Sequence, residues 1–556
     1  MIHKTIQTFI EEICASLYSH KDPVALDVPD IQFGDFTTNV AMKLGKLKSQ
    51  NPKDIASKIA EMLKDKDGIA SVSVAGPGFI NITIDDDQLL SAIASENHAK
   101  PYDNQTVVLE YSDPNPFKEL HVGHLYTSIV GDAIANIVHA GGGEVHRVNF
   151  GGDVGMHVAK AMWGILQTLE GEHPEKLDSI QEAERAAWLS AQYVSGNIAF
   201  EDDKSSKAEI TKINKRIYDI TNSGDKEAPL AQIYWTCRKW SYDYFNHFYA
   251  SIGSGFEKFY PESENAQLGV DTVKSHLGSV YEESNGAIVF KAEKYGLHTR
   301  VFINNDGLPT YEAKDVGVAL AKWRDYKFDK SIIITANDIT EYMKVVVKSI
   351  EQFEPEIAKR TIHITHGNVK MKGGVKMSSR LGNVLRAVDV IESVRKASAI
   401  NHGDSKHDST LAAIKFAFLK QRVGPDVIFD IGESVSLEGK SGPYLQYAHA
   451  RACSILSKVT GTDEDTSSES LEKDERLLAR EIAKYQMVFE EAIKSLEPHI
   501  IATYLYELTQ VFNRFYENNR VLDDDRSPIR IRLVKNYQRI LRSGLEILNI
   551  DAPEKI

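Results

Sequence analysis

Apolar residues at steps of three and four (Ile6, Phe9, Ile10, Ile13, Leu17, then Ile55, Ile59, Met62, Leu63) predict two amphipathic helices in the first hundred residues. Ile69–Val74 and Phe79–Ile84 alternate like paired strands across Gly76-Pro77-Gly78. Helices on a small antiparallel sheet make this segment an α+β module. The pattern changes near Asn104. Short β-rich runs at Thr106–Tyr111, Glu144–Asn149, Ser331–Thr335 and Thr361–Thr365 are separated by helical stretches, which predicts a parallel, doubly wound, Rossmann-like sheet. Residues from about Gly164 to Ser284 read as a long, mostly helical insertion between two half-sheets, with its aromatic run Tyr234–Tyr249 as local core. From Ser409 onward the periods of Leu505, Leu508, Val511, Phe512, Phe515 and of Leu533, Val534, Tyr537, Ile540, Leu541, Leu545, Leu548 predict a helical bundle. The polar tract Thr460–Glu472 reads as a mobile loop. The expected chain is multidomain, α/β plus α: 1–103, then 104–408 with an insertion at about 164–284, then 409–556.

Composition adds limits. A length of 556 residues is too great for one core and suggests about three domains. No apolar stretch approaches the roughly 18 residues that span a bilayer, so no membrane association is expected. Met1-Ile2-His3-Lys4 leads into a polar amphipathic helix, not an apolar signal core. Cys14, Cys237 and Cys453 are isolated, which argues against disulfides and a structural zinc site and fits a cytoplasmic setting. The net charge of −14 disfavours a protein that merely coats nucleic acid, yet allows a basic strip on one face.

The candidate chemistry gathers at Val107–Gly131. There a strand gives way, through Asp113-Pro114-Asn115-Pro116, to a helix that begins at His121-Val122-Gly123-His124. A helix start opposite a strand end offers unpaired N–H groups to a phosphate-rich ligand; two imidazoles can add donors, and Gly123 permits close approach. A capping or packing pair of histidines is the plainer alternative. Far downstream, Lys376-Met377-Ser378-Ser379-Arg380 follows a β-like run and Gly373-Gly374. With Lys370 and Lys372 it can close over a polyphosphate and stabilise charge on departing pyrophosphate, or it is simply a solvated basic loop. Glu110 ends the strand before the HVGH turn. Tyr311 and Asp315, four residues apart, share a helix face after Asn305-Asp306-Gly307. Two acids and a phenol would suit a cation with many donors. Alternatively Glu110 pairs with Lys118, and Asp315 is a surface residue beside Lys314.

HVGH and KMSS occur in the order, and at the domain ends, used by class I aminoacyl-tRNA synthetases. The stretch Glu110–His124 is similar to the arginyl-tRNA synthetase form of the first class I signature, and Pro309–Asp315 resembles that family's arginine-pocket helix. Gly34-Asp35-Phe36-Thr37-Thr38-Asn39-Val40-Ala41 and Ala75–Asn81 resemble its N-terminal domain, which holds the tRNA elbow. Gly442-Pro443-Tyr444-Leu445-Gln446-Tyr447-Ala448-His449-Ala450-Arg451 resembles the opening of its anticodon-binding bundle.

The resemblance implies ligation of L-arginine to tRNA(Arg) with ATP and Mg2+, by a monomer. It places Glu110, Tyr311 and Asp315 on the guanidinium, Asn115 at the α-amino end, and His121, Gly123 and His124 on ATP. Lys118 would assist them, and Lys376, Met377, Ser378 and Ser379 would form the closing loop. Asp113 stands where many members carry a small serine-like residue. Asp338 is the substitute for a Gln or His expected where Ile339 stands. Phe36, Asn39 and Phe79 become tRNA contacts, with core packing the alternative for both phenylalanines and helix capping for Asn39. Tyr444, Tyr447 and Arg451, with Tyr516, Tyr537 and the Lys/Arg excess between Phe512 and Arg542, fit single-stranded RNA recognition; a solvated helix face explains the charges equally well. A class I synthetase of another specificity and a non-catalytic tRNA-binding paralogue are the rival readings.

Overall fold

The computed structural model describes residues 2–94, 99–374, 385–402, 407–459 and 470–556, which fall into two compact units. The first combines Met1–Ala99 with Leu437–Glu546 and Asp551–Ile556; the second comprises Lys100–Ser436 and Ile547–Ile550.

In the first unit the amino-terminal part runs α1 (Ile2–Tyr18), β1 (Phe36–Thr38), α2 (Val40–Lys48), α3 (Pro52–Lys64), β2 (Ile69–Ala75), β3 (Phe79–Ile84) and α4 (Asp86–Ala94). Asn51 caps α3 by accepting from Lys53 N, with Pro52 at the first helical position. The sheet is antiparallel in the order β1-β3-β2, so the expected hairpin gains a third strand.

The second unit begins with β4 (Thr106–Glu110), α5 (Val122–Ala140), β5 (Glu144–Gly151), α6 (Met156–Thr168), α7 (Arg185–Asp202), α8 (Lys204–Ser223) and α9 (Pro229–Ser251). It continues through β6 (Lys258–Pro261), α10 (Glu262–Ser275), β7 (Glu282–Ser284), β8 (Ala287–Phe290), β9 (Arg300–Ile303), α11 (Tyr311–Tyr326), β10 (Lys330–Ala336), α12 (Thr340–Glu351), α13 (Pro355–Arg360) and β11 (Thr361–His366). The main sheet is wholly parallel, in the order β11-β10-β4-β5-β6. Strand order therefore reverses at β4, between β5 and β10, and the crevice for ligands opens at the carboxyl ends there. β6 corrects the sequence reading. It lies inside the stretch expected to be helical insertion up to Ser284, yet pairs with β5 from Val148↔Lys258 to Gly151↔Pro261. The helical part ends with α9, and its core (Val158, Met162, Ile210, Ile217, Tyr234, Trp240) takes in the aromatic run.

After β11 come β12 (Val369–Met371), α14 (Ala387–His402), α15 (Thr410–Leu419), β13 (Val427–Phe429) and α16 (Ile431–Ser434). β12 and β13 form a two-stranded parallel sheet, so residues after 408, expected in an all-helical third, include a strand and pack in the second unit. The bundle itself is α17 (Gly442–Leu456), α18 (Lys473–Ser495), α19 (Pro498–Asn518) and α20 (Ser527–Ile547). Most of the tract Thr460–Glu472 lies outside the described residues. Among the described residues no helix is long and apolar enough to cross a membrane.

Candidate functional site

The turn after β4 is strained and held from outside. Ser112, Asp113 and Phe117 all take positive φ (74°, 44° and 67°). Residues of α9 secure them: Ser112 Oγ and Tyr249 OH share a 2.8 Å hydrogen bond, and Phe117 N donates to Ser241 Oγ at 2.9 Å. Asp113 Oδ1 accepts from Phe150 N at 2.7 Å, tying the turn to β5. Asn115 Oδ1 lies so close to Gly152 that a Cβ there would stand 2.2 Å away, so a larger residue would displace the Asn115 amide.

His121 caps α5. Its Nδ1 accepts from Gly123 N at 3.0 Å, while His124 Nδ1 accepts from His121 N at 3.2 Å, a reciprocal capping box built from two imidazoles. The rings stack with centroids 3.7 Å apart. Because both Nδ1 atoms accept from backbone N–H groups, each neutral ring carries its proton on Nε2. Burial, reinforced by Lys118, lowers His121 to about 4; burial, then His121 and Lys118, hold His124 well below the usual imidazole range. The capping alternative and the donor reading are thus compatible: Nδ1 of each ring serves the helix and Nε2 keeps its proton to donate.

Val122 N donates to Leu385 O, and Ala387 N to Leu120 O, both at 2.9 Å, so the segment after the KMSS stretch is strung beside the HVGH turn. Lys376, Met377, Ser378 and Ser379 themselves, with Arg380, lie outside the described residues. Lys370 and Lys372, expected to face a polyphosphate, pair instead with Asp426 (2.5 Å) and Asp430 (2.7 Å) across the small sheet.

Glu110 and Asp315 line one small cavity between the sheet, α11 and α12, of about 20 Å³, room for about one water molecule. Its remaining wall is mostly apolar, with Val318, Ile333, Met343 and Ile350 among the lining residues. Neither alternative pairing forms. Glu110 Oε2 accepts from Lys322 Nζ at 2.6 Å, both side chains being almost wholly buried. Asp315 accepts from the Tyr342 hydroxyl, and burial and then Glu110 and Glu262 push its carboxyl up to about 8 against that hydrogen bond. Asp113 is raised as well, by burial and then by Glu110.

Tyr311 opens α11 and is 53% exposed, with the Lys314 ammonium 5.0 Å from its ring; it does not line the cavity. Lys314 pairs with Glu262 at 2.6 Å in the interior, not with Asp315. Asp338 is exposed at the end of β10 and does not line the cavity; Tyr342, one turn into α12, makes the contact to Asp315. Lys322 and Tyr342 were not anticipated. The only sequence signal for Lys322 is its place two helical turns beyond Asp315, on the same face.

In the first unit Phe36 is core, Asn39 sits half-buried at the start of α2 without a side-chain capping bond, and Phe79 is 38% exposed. Asp35 of the same motif is buried and accepts from Ile84 N (2.9 Å) and Arg476 Nη2 (2.7 Å). Much of the basic strip is likewise structural. Arg532 donates to Leu90 O and Arg539 to Ile93 O, while Arg526 and Arg530 pair with Glu475. Tyr537 stacks on Phe512 in the core at 3.8 Å. An open cluster remains on α17 and α19. Arg451 lies over the exposed rings of Tyr447 (5.1 Å) and Tyr516 (5.7 Å) and donates to Asn513 Oδ1, and Asn513 Nδ2 donates to Tyr444 OH at 2.8 Å.

Three family models match the chain: "Arginyl tRNA synthetase N terminal domain" over residues 1–84, "tRNA synthetases class I (R), catalytic domain" over 88–425, and "DALR anticodon binding domain" over 445–556. The catalytic model alone covers more than half of the sequence. The chain belongs to the arginyl-tRNA synthetase family. Curated relatives include arginine–tRNA ligases of Clostridium perfringens (29% identical, 95% of each chain) and Bacteroides thetaiotaomicron (27%, 97% of each). Among solved structures, the arginyl-tRNA synthetase of Thermus thermophilus aligns with a TM-score of 0.80 at 22% identity, covering 100% of both chains. That of Plasmodium falciparum aligns at 0.81 and 20%, covering 100% of this chain and 99% of its own. As an arginyl-tRNA synthetase the chain is a class I ligase, and the Rossmann-like sheet with its α+β and helical partners is the family's fold.

Proposed function

We propose that this chain activates L-arginine with ATP and transfers the arginyl group to tRNA(Arg), using the crevice at the end of β4. The observation that carries the reading is the convergence of Glu110 and Asp315 on one cavity, in a domain whose α5 starts with two imidazoles that keep Nε2 as a donor. Asp315 and Glu110 hold the guanidinium, with Tyr311 as the third contact. Asn115 takes the α-amino end, and Asp113, with one oxygen committed to Phe150, has the other for the same ammonium. His121 and His124 donate from Nε2 to ATP phosphates, Gly123 lets the nucleotide approach, and Lys118 adds charge.

The carboxylate of arginine attacks the α-phosphorus; the bond to the bridging oxygen breaks, giving arginyl adenylate and pyrophosphate. The ribose hydroxyl at the tRNA terminus then displaces AMP. No side-chain nucleophile is required, since the work is positioning and charge stabilisation. Mg2+ would be carried by the ATP phosphates, and Lys376, Met377, Ser378 and Ser379, outside the described residues, are assigned to the same phosphates by the family resemblance. Tyr447, Arg451 and Tyr444 stack and pair with unstacked anticodon bases, and Phe79 and Asn39 meet the tRNA elbow. The enzyme works as a monomer in the cytoplasm.

Charging of bulk tRNA with each of the amino acids, with and without ATP, tests the reading. ATP-dependent labelling by arginine alone is expected. Charging by an uncharged amino acid would favour another class I specificity, and tight tRNA binding without charging would favour a non-catalytic paralogue.

A further inference from the structure

Lys118 is an enclosed lysine that meets no carboxylate among the described residues. Its Nζ lies 3.8 Å from the centroid of the Tyr193 ring, on α7 of the helical insertion. The same helix face repeats the device two turns on. Phe200 holds the Lys160 ammonium at 4.2 Å, and Asn197 Oδ1 accepts from Lys160 at 2.8 Å. Positions 193, 196, 197 and 200 lie on one side of a helix.

The distance between α6 and α7 is fixed by two glycines that bracket this turn. A Cβ on Gly164 would stand 2.3 Å from Gln192 O, and one on Gly196 would stand 1.8 Å from Lys160 O. Any larger residue at either position would push α7, and Tyr193 with it, off α6. Burial, and then Lys160, lower Lys118 to about 8, so an aromatic face offsets part of what enclosure costs the charged form.

We propose that Tyr193 is a positioning residue for amino-acid activation: its ring face seats the Lys118 ammonium beside the HVGH helix start, ready for ATP phosphate. A ring occupies one side of an ammonium and leaves other N–H bonds for phosphate oxygens, so the seat and the nucleotide need not compete. The proposal rests on the nucleotide reading of that helix start. It adds that the insertion contributes to the active site through one ring.

Arginine-dependent exchange of pyrophosphate into ATP, with tRNA present, tests it on the full chain. Tyr193→Leu is expected to raise the ATP KM about 2- to 30-fold and leave the arginine KM unchanged, while Tyr193→Phe keeps the wild-type value. Lys118→Met should show the same ATP defect, and adding Tyr193→Leu to it should cost nothing more. Should the leucine variant fold poorly, phenylalanines of increasing fluorination at position 193 preserve shape and weaken only the ring face; ATP KM should climb with fluorine count. A flat fluorine series, an unchanged or lowered ATP KM in Tyr193→Leu, or additive losses with Lys118→Met would each overturn the seat. Absence of exchange in the wild type, by contrast, overturns the nucleotide reading itself.

Discussion

The Glu110–Lys322 pair supports a quantitative test. Both side chains are all but inaccessible and meet at 2.6 Å across 212 residues of sequence, joining the end of β4 to α11. Lys322→Met keeps the apolar stem and removes the ammonium, leaving a carboxylate enclosed without its counter-charge. Breaking one side of a buried pair costs about 3–5 kcal/mol, whereas removing both charges is often nearly neutral. Lys322→Met should therefore destabilise strongly, and Lys322→Met with Glu110→Gln should recover most of the loss, giving a coupling of at least about 2 kcal/mol between the two sites. Because the chain has two compact units, a single melting transition would not isolate the effect. Native-state hydrogen exchange of the β4 and β10 amides reads it locally. If Lys322→Met protects those amides to within about 1 kcal/mol of wild type, or if the two changes simply add, the pair is not what holds Glu110 and the reasoning fails.

Other predictions follow from the site and its supports. Asp315, raised to about 8, holds a proton at pH 7 that a guanidinium would displace, so this group should contribute the release of close to one proton on arginine binding; calorimetry in buffers of different ionisation enthalpy measures it, and Asp315→Asn should lower the release by about that amount. The sign of the linked stability is fixed by the same proton. A carboxyl raised from its unfolded value makes the substrate-free protein lose stability as pH rises from about 4 through 8, most clearly in exchange of α11 amides. His124→Ala should slow adenylate formation about 10²–10³-fold and loosen the start of α5 by about 1 kcal/mol, since the ring also completes the capping box; an unchanged activation rate would remove it from catalysis. Arg451→Ala should weaken tRNA charging while leaving arginine activation intact, which charging and exchange assays on one preparation would separate.

What the sequence made legible follows a physical rule. β4, the HVGH turn and the face carrying Tyr311 and Asp315 are local, and the periods and turn residues encode them directly. β6 was missed because four residues, Lys258–Pro261, carry no alternation and end in proline; only pairing with β5 makes them a strand. Lys322 was missed because its partner is distant in sequence, and a lysine late in a helix reads as solvated until the fold encloses it. The arginines of α20 misled for a related reason. Composition records their charge, not the carbonyl oxygens of Leu90 and Ile93 that two of them satisfy.

That last feature bears on how the molecule is made. Asp35 and its guanidinium partner on α18 are separated by 441 residues, with the whole catalytic segment synthesised in between. At ordinary elongation rates of about 5–20 residues per second, the amino-terminal module waits roughly 20–90 s on the ribosome before the arginines that complete it emerge. Throughout that interval the acceptor groups those arginines will bind must be covered by water or a chaperone. A nascent chain halted before α18 should therefore display a protease-sensitive first hundred residues that harden only when the bundle is released.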